Sequence, residues 1–345
     1  MTILRSSGWR LITQRRPSPT SSRNSGRSIV SIRPTLDEIR AAAARLDGVI
    51  VRTPLVPLHS YGEPSGIFLK PEILQPVGSF KLRTVFNAVA AKTAEERSRG
   101  LSTTSAGNTA QALAWVARYF GVTARSLMPE TAPESKVRAM EAYGGNPVLV
   151  PGAEVFRFMA EEGWHDEPYT FIHPWREMAG SATIGLEIVE DMPDVDSVYV
   201  PIGGGGLIGG VGSAIKALRP EIRVVGVEPE GCCAFTRSLE AGKPMTVECQ
   251  TICDGVAVPL VLPDVFETLR EVVDETVLVS DRDAKAAVKR LALRNKLVAE
   301  PAGGLAVAAA LAADPAKRGR AVCIVSGGSI NADLLAAILT DPTLD

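Results

Sequence analysis

Ser197-Val-Tyr-Val-Pro-Ile202, then Gly203-Gly-Gly-Gly206, then Leu207 through about Leu218, read as a buried strand, a glycine loop and a helix. Four residues without Cβ leave backbone N–H groups open to a ligand, and a helix N-terminus behind them adds partial positive charge. That combination cradles phosphate. Within it, Gly204-Gly-Gly-Leu-Ile-Gly209 also fits G-x-G-x-x-G. The next strand, Arg223-Val-Val-Gly-Val-Glu228, ends in an acid where a dinucleotide fold places its ribose ligand. From these residues alone a dinucleotide, another phosphorylated ligand and a bare strand–helix turn all stay open.

Outward from this unit, strand-like and helix-like stretches alternate. Strands are expected at 67–70, 101–104, 124–128, 147–150, 170–172, 197–202, 223–228, 276–279 and 321–325. Helices are expected at 82–94, 109–119, 134–143, 153–162, 182–191, 281–295 and 302–312, with Asp281 and Asn108 as opening caps and Gly121 and Gly144 near closing ones. A loop is expected from Pro259 to Pro263. Such alternation implies an α/β fold whose parallel sheets are covered by helices on both faces.

The chain has 345 residues, 46% of them hydrophobic, enough for two subdomains. A net charge of −2 gives no global attraction to nucleic acid or anionic membrane. No apolar run reaches the about 18 residues that span a bilayer. The first 36 residues hold seven arginines, eight serines and no acid before Asp37, so residues 1–36 read as a disordered tail or a transit-like extension. The working compartment is then the cytoplasm, or an organelle if that stretch directs import. Five irregularly spaced cysteines, Cys232, Cys233, Cys249, Cys253 and Cys323, read as reduced, mostly buried thiols. Cys249 and Cys253 lack a second pair at metal-ligand spacing, and no metal is expected.

Three further stretches carry chemistry. In Gln75-Pro-Val-Gly-Ser-Phe-Lys-Leu-Arg83 a turn delivers Lys81 to the start of an amphipathic helix. Burial and the helix N-terminus both lower an ammonium pKa, and a neutral amine is what Schiff-base chemistry needs. Ser105, Gly107, Asn108 and Thr109 place hydroxyl, amide and backbone donors at another helix start, a site suited to a carboxylate. Ser326 stands at the carboxyl end of the last strand, and Glu300-Pro-Ala-Gly-Gly304 precedes an alanine-rich helix; both fit the crevice where open α/β sheets bind ligands. Each stretch read alone is equally a snorkelling lysine, an N-capped helix or a turn.

Together the segments resemble the pyridoxal-phosphate enzymes of the tryptophan-synthase-β type, specifically the serine/threonine dehydratase and serine racemase group. The matching pieces are Gly78-Ser-Phe-Lys81, Ser105-Ala-Gly-Asn108, Gly203-Gly-Gly-Gly-Leu207, Asp254-Gly-Val256, Glu300-Pro-Ala-Gly303 and Ser326-Gly-Gly328, in the family's order. The resemblance implies two three-layer αβα domains with the cofactor, pyridoxal 5'-phosphate, in the cleft between them. Residues 76–175 would form a small mobile domain, and 37–75 with 176–345 a larger one. Lys81 would carry the cofactor through a Schiff base and move the Cα proton. Gly203, Gly204, Gly205, Gly206 and Leu207 would hold the phosphate. Phe80 would pack on the ring, Asn108 would bond its phenolic oxygen, Ser326 would face its nitrogen, and Glu300 would complete the cofactor site. Ser105, Ala106, Gly107 and Thr109 would meet the substrate.

The resemblance further implies an ammonia-lyase that removes water from threonine or serine, giving a 2-oxo acid and ammonia, and a homodimer with a small amino acid as its partner. Racemases of the group carry serine where this chain has Ala106, which favours elimination. Thr109, where many members have histidine, keeps β-replacement in view, and 3-hydroxyaspartate is an alternative substrate. A cation site in the group uses the equivalent of Glu228 and a second acid, where this chain has Ala234. Outside the group, a dinucleotide oxidoreductase and a non-catalytic cofactor-binding module are the alternatives. Leu82, Thr131, Trp175 and Val256 are expected to shape the substrate pocket, and Trp175-Arg176 replaces an aromatic–aspartate pair.

Overall fold

The computed structural model describes residues 30–62 and 65–344, together with the backbone of Leu4–Ser6 and Trp9–Thr13. The strands, in chain order, are β1 Leu4–Ser6, β2 Trp9–Thr13, β3 Val56–Pro57, β4 Ile67–Pro71, β5 Leu101–Thr104, β6 Ala124–Pro129, β7 Asn146–Val150, β8 Thr170–Phe171, β9 Ser197–Pro201, β10 Arg223–Pro229, β11 Glu275–Val279 and β12 Ala321–Val325. They form two sheets, ordered β1-β2-β11-β10-β9-β12-β4-β3 and β7-β6-β5-β8. The larger sheet is parallel from β11 through β4 and antiparallel at its edges; the smaller is parallel throughout. The expectation of a terminal extension at 1–36 falls mostly outside the described residues. Within it are β1 and β2, and a bond from the Ile32 N–H to Thr268 Oγ1 of 3.0 Å.

Side-chain alternation explains the layers. In β9, Val198 and Val200 join one core with Ile208, Val211 and Leu269, while Tyr199 joins the other with Leu305 and Val307. In β12, Val322 and Ile324 point to the first core, and Ala321, Cys323 and Val325 to the second. Period-two alternation with apolar residues on both sides is the pattern of a strand buried on both faces. A separate core of Leu82, Val85, Leu101 and Leu113 supports the smaller sheet.

All nine expected strands are present within a residue or two. The helices differ more. The expected helix at 82–94 is two, Lys81–Ala90 and Ala94–Ser98, because Thr93 and Glu96 form a capping box that starts the second. The helix expected from Asp281 is capped instead by Ser280, whose side chain accepts from the Asp283 N–H, and it passes into a π turn at Leu291–Asn295. Pro263 ends no loop: it opens the helix Pro263–Val272, where a missing N–H is harmless. Gly107, not Asn108, is the cap of Asn108–Phe120.

A buried charge network fixes the helix that starts at Lys81. Arg83 forks onto Glu72 (Nε–Oε2 2.8 Å, Nη2–Oε1 2.9 Å) and onto Glu187 (Nη1–Oε1 2.5 Å). Lys70 Nζ meets Glu187 Oε2 at 2.5 Å. Two cations and two anions, all buried, thus tie β4, the turn Glu72–Leu74, the Lys81 helix and the helix Met178–Asp191.

The thiol expectation needs correction. Cys232 and Cys249 are joined in a disulfide, their Cα atoms 4.4 Å apart, while Cys233, Cys253 and Cys323 are free and buried. Glu228, a candidate for ribose or cation, accepts from the N–H groups of Phe235 and Thr236 (2.9 and 2.8 Å) and from the Thr236 hydroxyl (2.6 Å). It therefore satisfies the first turn of the helix Ala234–Ala241. Among the described residues no helix is long and apolar enough to cross a membrane.

Candidate active site

Three backbone bonds bring distant segments to one point. Phe80 N–H donates to Ser326 O (3.0 Å), Gly328 N–H to Gly78 O (2.9 Å) and Glu300 N–H to Gly327 O (3.0 Å). The carboxyl end of β12 is thereby stitched to the turn before Lys81 on one side and to the turn before the helix Pro301–Ala312 on the other.

These segments line a cavity of about 610 Å³. Phe80, Lys81, Ser105, Ala106, Gly107, Asn108, Thr109, Gly203, Gly204, Gly205, Gly206, Leu207, Glu300 and Ser326 all lie on it. So do Thr131, Trp175 and Val256. Leu82 does not: it is fully buried in the core of the smaller sheet, because the residue after Lys81 projects about 100° further round the helix.

Lys81 is the first residue of its helix. Its Nζ donates to the Pro174 carbonyl at 2.7 Å and stands 5.1 Å from the Phe80 ring centroid. Burial lowers its pKa to about 8, so a useful fraction is neutral near pH 7. The Pro174 carbonyl is placed by its neighbour. His173 Nδ1 accepts from the N–H groups of Trp175 (3.1 Å) and Arg176 (3.3 Å), which turns the chain there. Nδ1 must be unprotonated to do so, and burial, with Arg176 and Lys81 nearby, lowers the His173 pKa to about 3. Arg176 reaches Asp264 (2.8 Å) and Glu162 (3.1 Å), so it ties the turn to both sides.

The glycine loop fits closely under that turn. Gly205 takes φ +90, and a Cβ on Gly204 would lie 2.3 Å from the Trp175 indole. The helix Gly206–Leu218 leaves its first N–H groups without intrahelical partners. The second turn is similar: Ser105 Oγ accepts from the Gly107 N–H at 3.1 Å, which leaves the hydroxyl proton and the first-turn N–H groups of Asn108 and Thr109 to bind an anion. Asn108 Nδ2 donates to Glu300 Oε1 at 2.9 Å, and Asn108 Oδ1 is buried without a partner among the described residues. On the cavity wall Lys136 pairs with Asp254.

A phosphorylated aldehyde fits these residues. A depressed amine, a side-chain-free set of N–H donors and an unpartnered buried amide oxygen share one cavity. Sequence reading missed His173, Pro174 and Lys136; the position of His173 just past β8, at the carboxyl end of a parallel strand, is the signal that marks it.

Comparison with known proteins agrees. The family model described as "Pyridoxal-phosphate dependent enzyme" matches residues 46–327. An L-threonine ammonia-lyase of Thermotoga maritima is 39% identical over 88% of this chain and 78% of that protein. The catabolic L-threonine dehydratase TdcB of Escherichia coli K12 is 38% identical over 88% of this chain and 95% of that protein. Among solved structures, maize serine racemase superposes with a TM-score of 0.80 at 33% identity, covering 89% of this chain and 96% of that one. A threonine deaminase from the organism abbreviated T.th. gives 0.79 at 34%, covering 86% and 99%. The dinucleotide reading of the glycine loop is thereby set aside. The family match runs through every segment that builds the cavity, and on it the chain belongs to the pyridoxal-phosphate dependent enzymes.

Proposed function

We propose that this enzyme is an ammonia-lyase that removes water from a small β-hydroxy amino acid, L-threonine or L-serine, to give a 2-oxo acid and ammonia. The observation that carries this reading is a single depressed amine, Lys81, on a cavity where position 106 is alanine. The relatives named as threonine ammonia-lyase and dehydratase support it.

Pyridoxal phosphate, when bound, supplies the electron sink for a carbanion at Cα. The chain's residues do the rest. Lys81 would hold the cofactor through its amine, and that amine, when free, would take the Cα proton. The N–H groups of Gly203 to Leu207 would hold the phosphate. Phe80 would pack beside the ring, Asn108, backed by Glu300, would bond its oxygen, and Ser326, uncharged, would face its nitrogen. Ser105, Gly107 and Thr109 hold the substrate carboxylate. Ala106 offers no second proton donor, so return of the proton on the opposite face of Cα is disfavoured, and the Cβ hydroxyl leaves as hydroxide while Lys81 keeps the proton.

The four strands of the smaller sheet fall between residues 101 and 171. We take 76–175 as the small domain that closes on 37–75 and 176–345 and excludes water. A homodimer in the cytoplasm is the working form of this reading, and light scattering tests the former. Purified enzyme should release ammonia and 2-oxo acid in equal amounts from L-threonine or L-serine. A cofactor-loaded enzyme that releases neither from both substrates sinks the proposal.

A further inference from the structure

The unpartnered oxygen of Asn108 has a consequence for Glu300. Asn108 opens the helix Asn108–Phe120, and Glu300 immediately precedes the helix Pro301–Ala312. Glu300 is 3% exposed and is seated between two glycines: a Cβ on Gly255 or Gly327 would lie 2.9 or 2.4 Å from its Oε1. Its Oε1 accepts from Asn108 Nδ2 at 2.9 Å, and the far end of the same amide is buried with no partner among the described residues.

An amide has a donor end and an acceptor end, and a carboxyl group can satisfy either. Ionised, it only accepts, so it takes the N–H end and leaves the oxygen for the ligand. Protonated, it can donate, so it can take the oxygen and leave the N–H for the ligand. We propose that Glu300 is a positioning residue whose proton decides whether Asn108 turns its N–H or its oxygen toward the ring oxygen of the bound cofactor. This rests on the reading that the cavity holds the cofactor on Lys81. The N–H orientation favours an ionised ring oxygen; the oxygen orientation disfavours it.

The surroundings place this proton in a useful range. Burial raises the Glu300 pKa to about 7, Asp254 pushes it the same way, and Lys136 and the Asn108 bond pull it down. Lys136 comes from the helix Glu134–Ala142 and is paired to Asp254 of the turn Asp254–Val256, so the two charges partly offset each other. Lys81 is the other cation on the cavity wall.

The test is the visible absorption of bound cofactor in substrate-free holoenzyme, followed through pH 7, with borohydride fixation of the same samples. The wild type should show a transition with its midpoint near 7, and E300Q should bind cofactor but lack it. K136M, which removes the cation that pulls the Glu300 pKa down, should move the midpoint upward. An E300Q protein that keeps the wild-type midpoint overturns the proposal. If E300Q does not fold or load, K136M decides, and a midpoint that does not move overturns it. Fixation on Lys81 with an unmoved spectrum defeats this inference alone, whereas no fixation on Lys81 in the wild type defeats the functional reading as well.

Discussion

Lys81 Nζ donates to the carbonyl of Pro174 at 2.7 Å, across 93 positions of sequence. His173 sets that carbonyl by accepting two N–H bonds from the residues that follow it, and Trp175 of the same turn lies over Gly204. One short turn therefore places the amine and packs the glycine loop.

The amine should capture cofactor in a pH window well below that of an ordinary lysine. Only the neutral form attacks an aldehyde, and burial lowers the Lys81 pKa to about 8. Uptake of pyridoxal phosphate by cofactor-free enzyme should accelerate with pH and level off above about 8. A stopped-flow rate that keeps climbing toward the usual lysine value of about 10.4 contradicts the assignment.

His173 should leave a mark on acid stability. Its pKa falls from 6.5 to about 3 on folding, through burial first and then Arg176 and Lys81. Between those values the unfolded chain binds a proton that the folded one does not, so stability is lost as pH falls from 6.5 toward 3. His173→Phe should flatten that part of the denaturation profile. It should also lower stability at neutral pH by about 1–3 kcal/mol, since two N–H groups lose their acceptor. Superimposable acid limbs would show that His173 titrates as a free histidine.

Removing Arg83 should damage folding more than a surface charge would. Arg83→Met leaves Glu72 and Glu187 buried with only Lys70 to balance them. The expected loss is about 3–5 kcal/mol in urea denaturation. Cofactor affinity should fall with it, because Arg83 anchors the helix that begins at Lys81. A loss below about 1 kcal/mol would mean the network is not the anchor of that helix.

Ala106→Ser should add racemisation. The new hydroxyl gives Cα a second proton donor, so D-serine formed from L-serine should rise at least about tenfold, a modest share of what one positioned acid contributes. Chiral chromatography reads it. No increase in a variant that still eliminates water would remove position 106 as the discriminator.

The residues legible in the sequence are those with a local pattern. Lys81 follows a turn and opens a helix, Gly203–Gly206 follow a strand, and Ser326 ends one; all reach the same cavity. Of the missed groups, Pro174 and Lys136 have none. Pro174 contributes a backbone carbonyl, which every residue has, and Lys136 meets Asp254 across 118 positions. Glu228 sat where a ribose or cation ligand belongs, yet its acid serves a helix start seven residues on. Helix ends shifted for a related reason: Thr93 and Ser280 each start a helix by accepting a specific N–H, and periodicity does not see that bond.

Everything proposed for the cavity depends on Lys81 carrying the cofactor. Borohydride reduction of purified holoenzyme, followed by peptide mapping, reads that bond itself. One pyridoxyl group per chain should appear, on the peptide containing Gly78-Ser-Phe-Lys81. Modification of another lysine, Lys136 for example, or no modification with cofactor bound, would contradict the assignment.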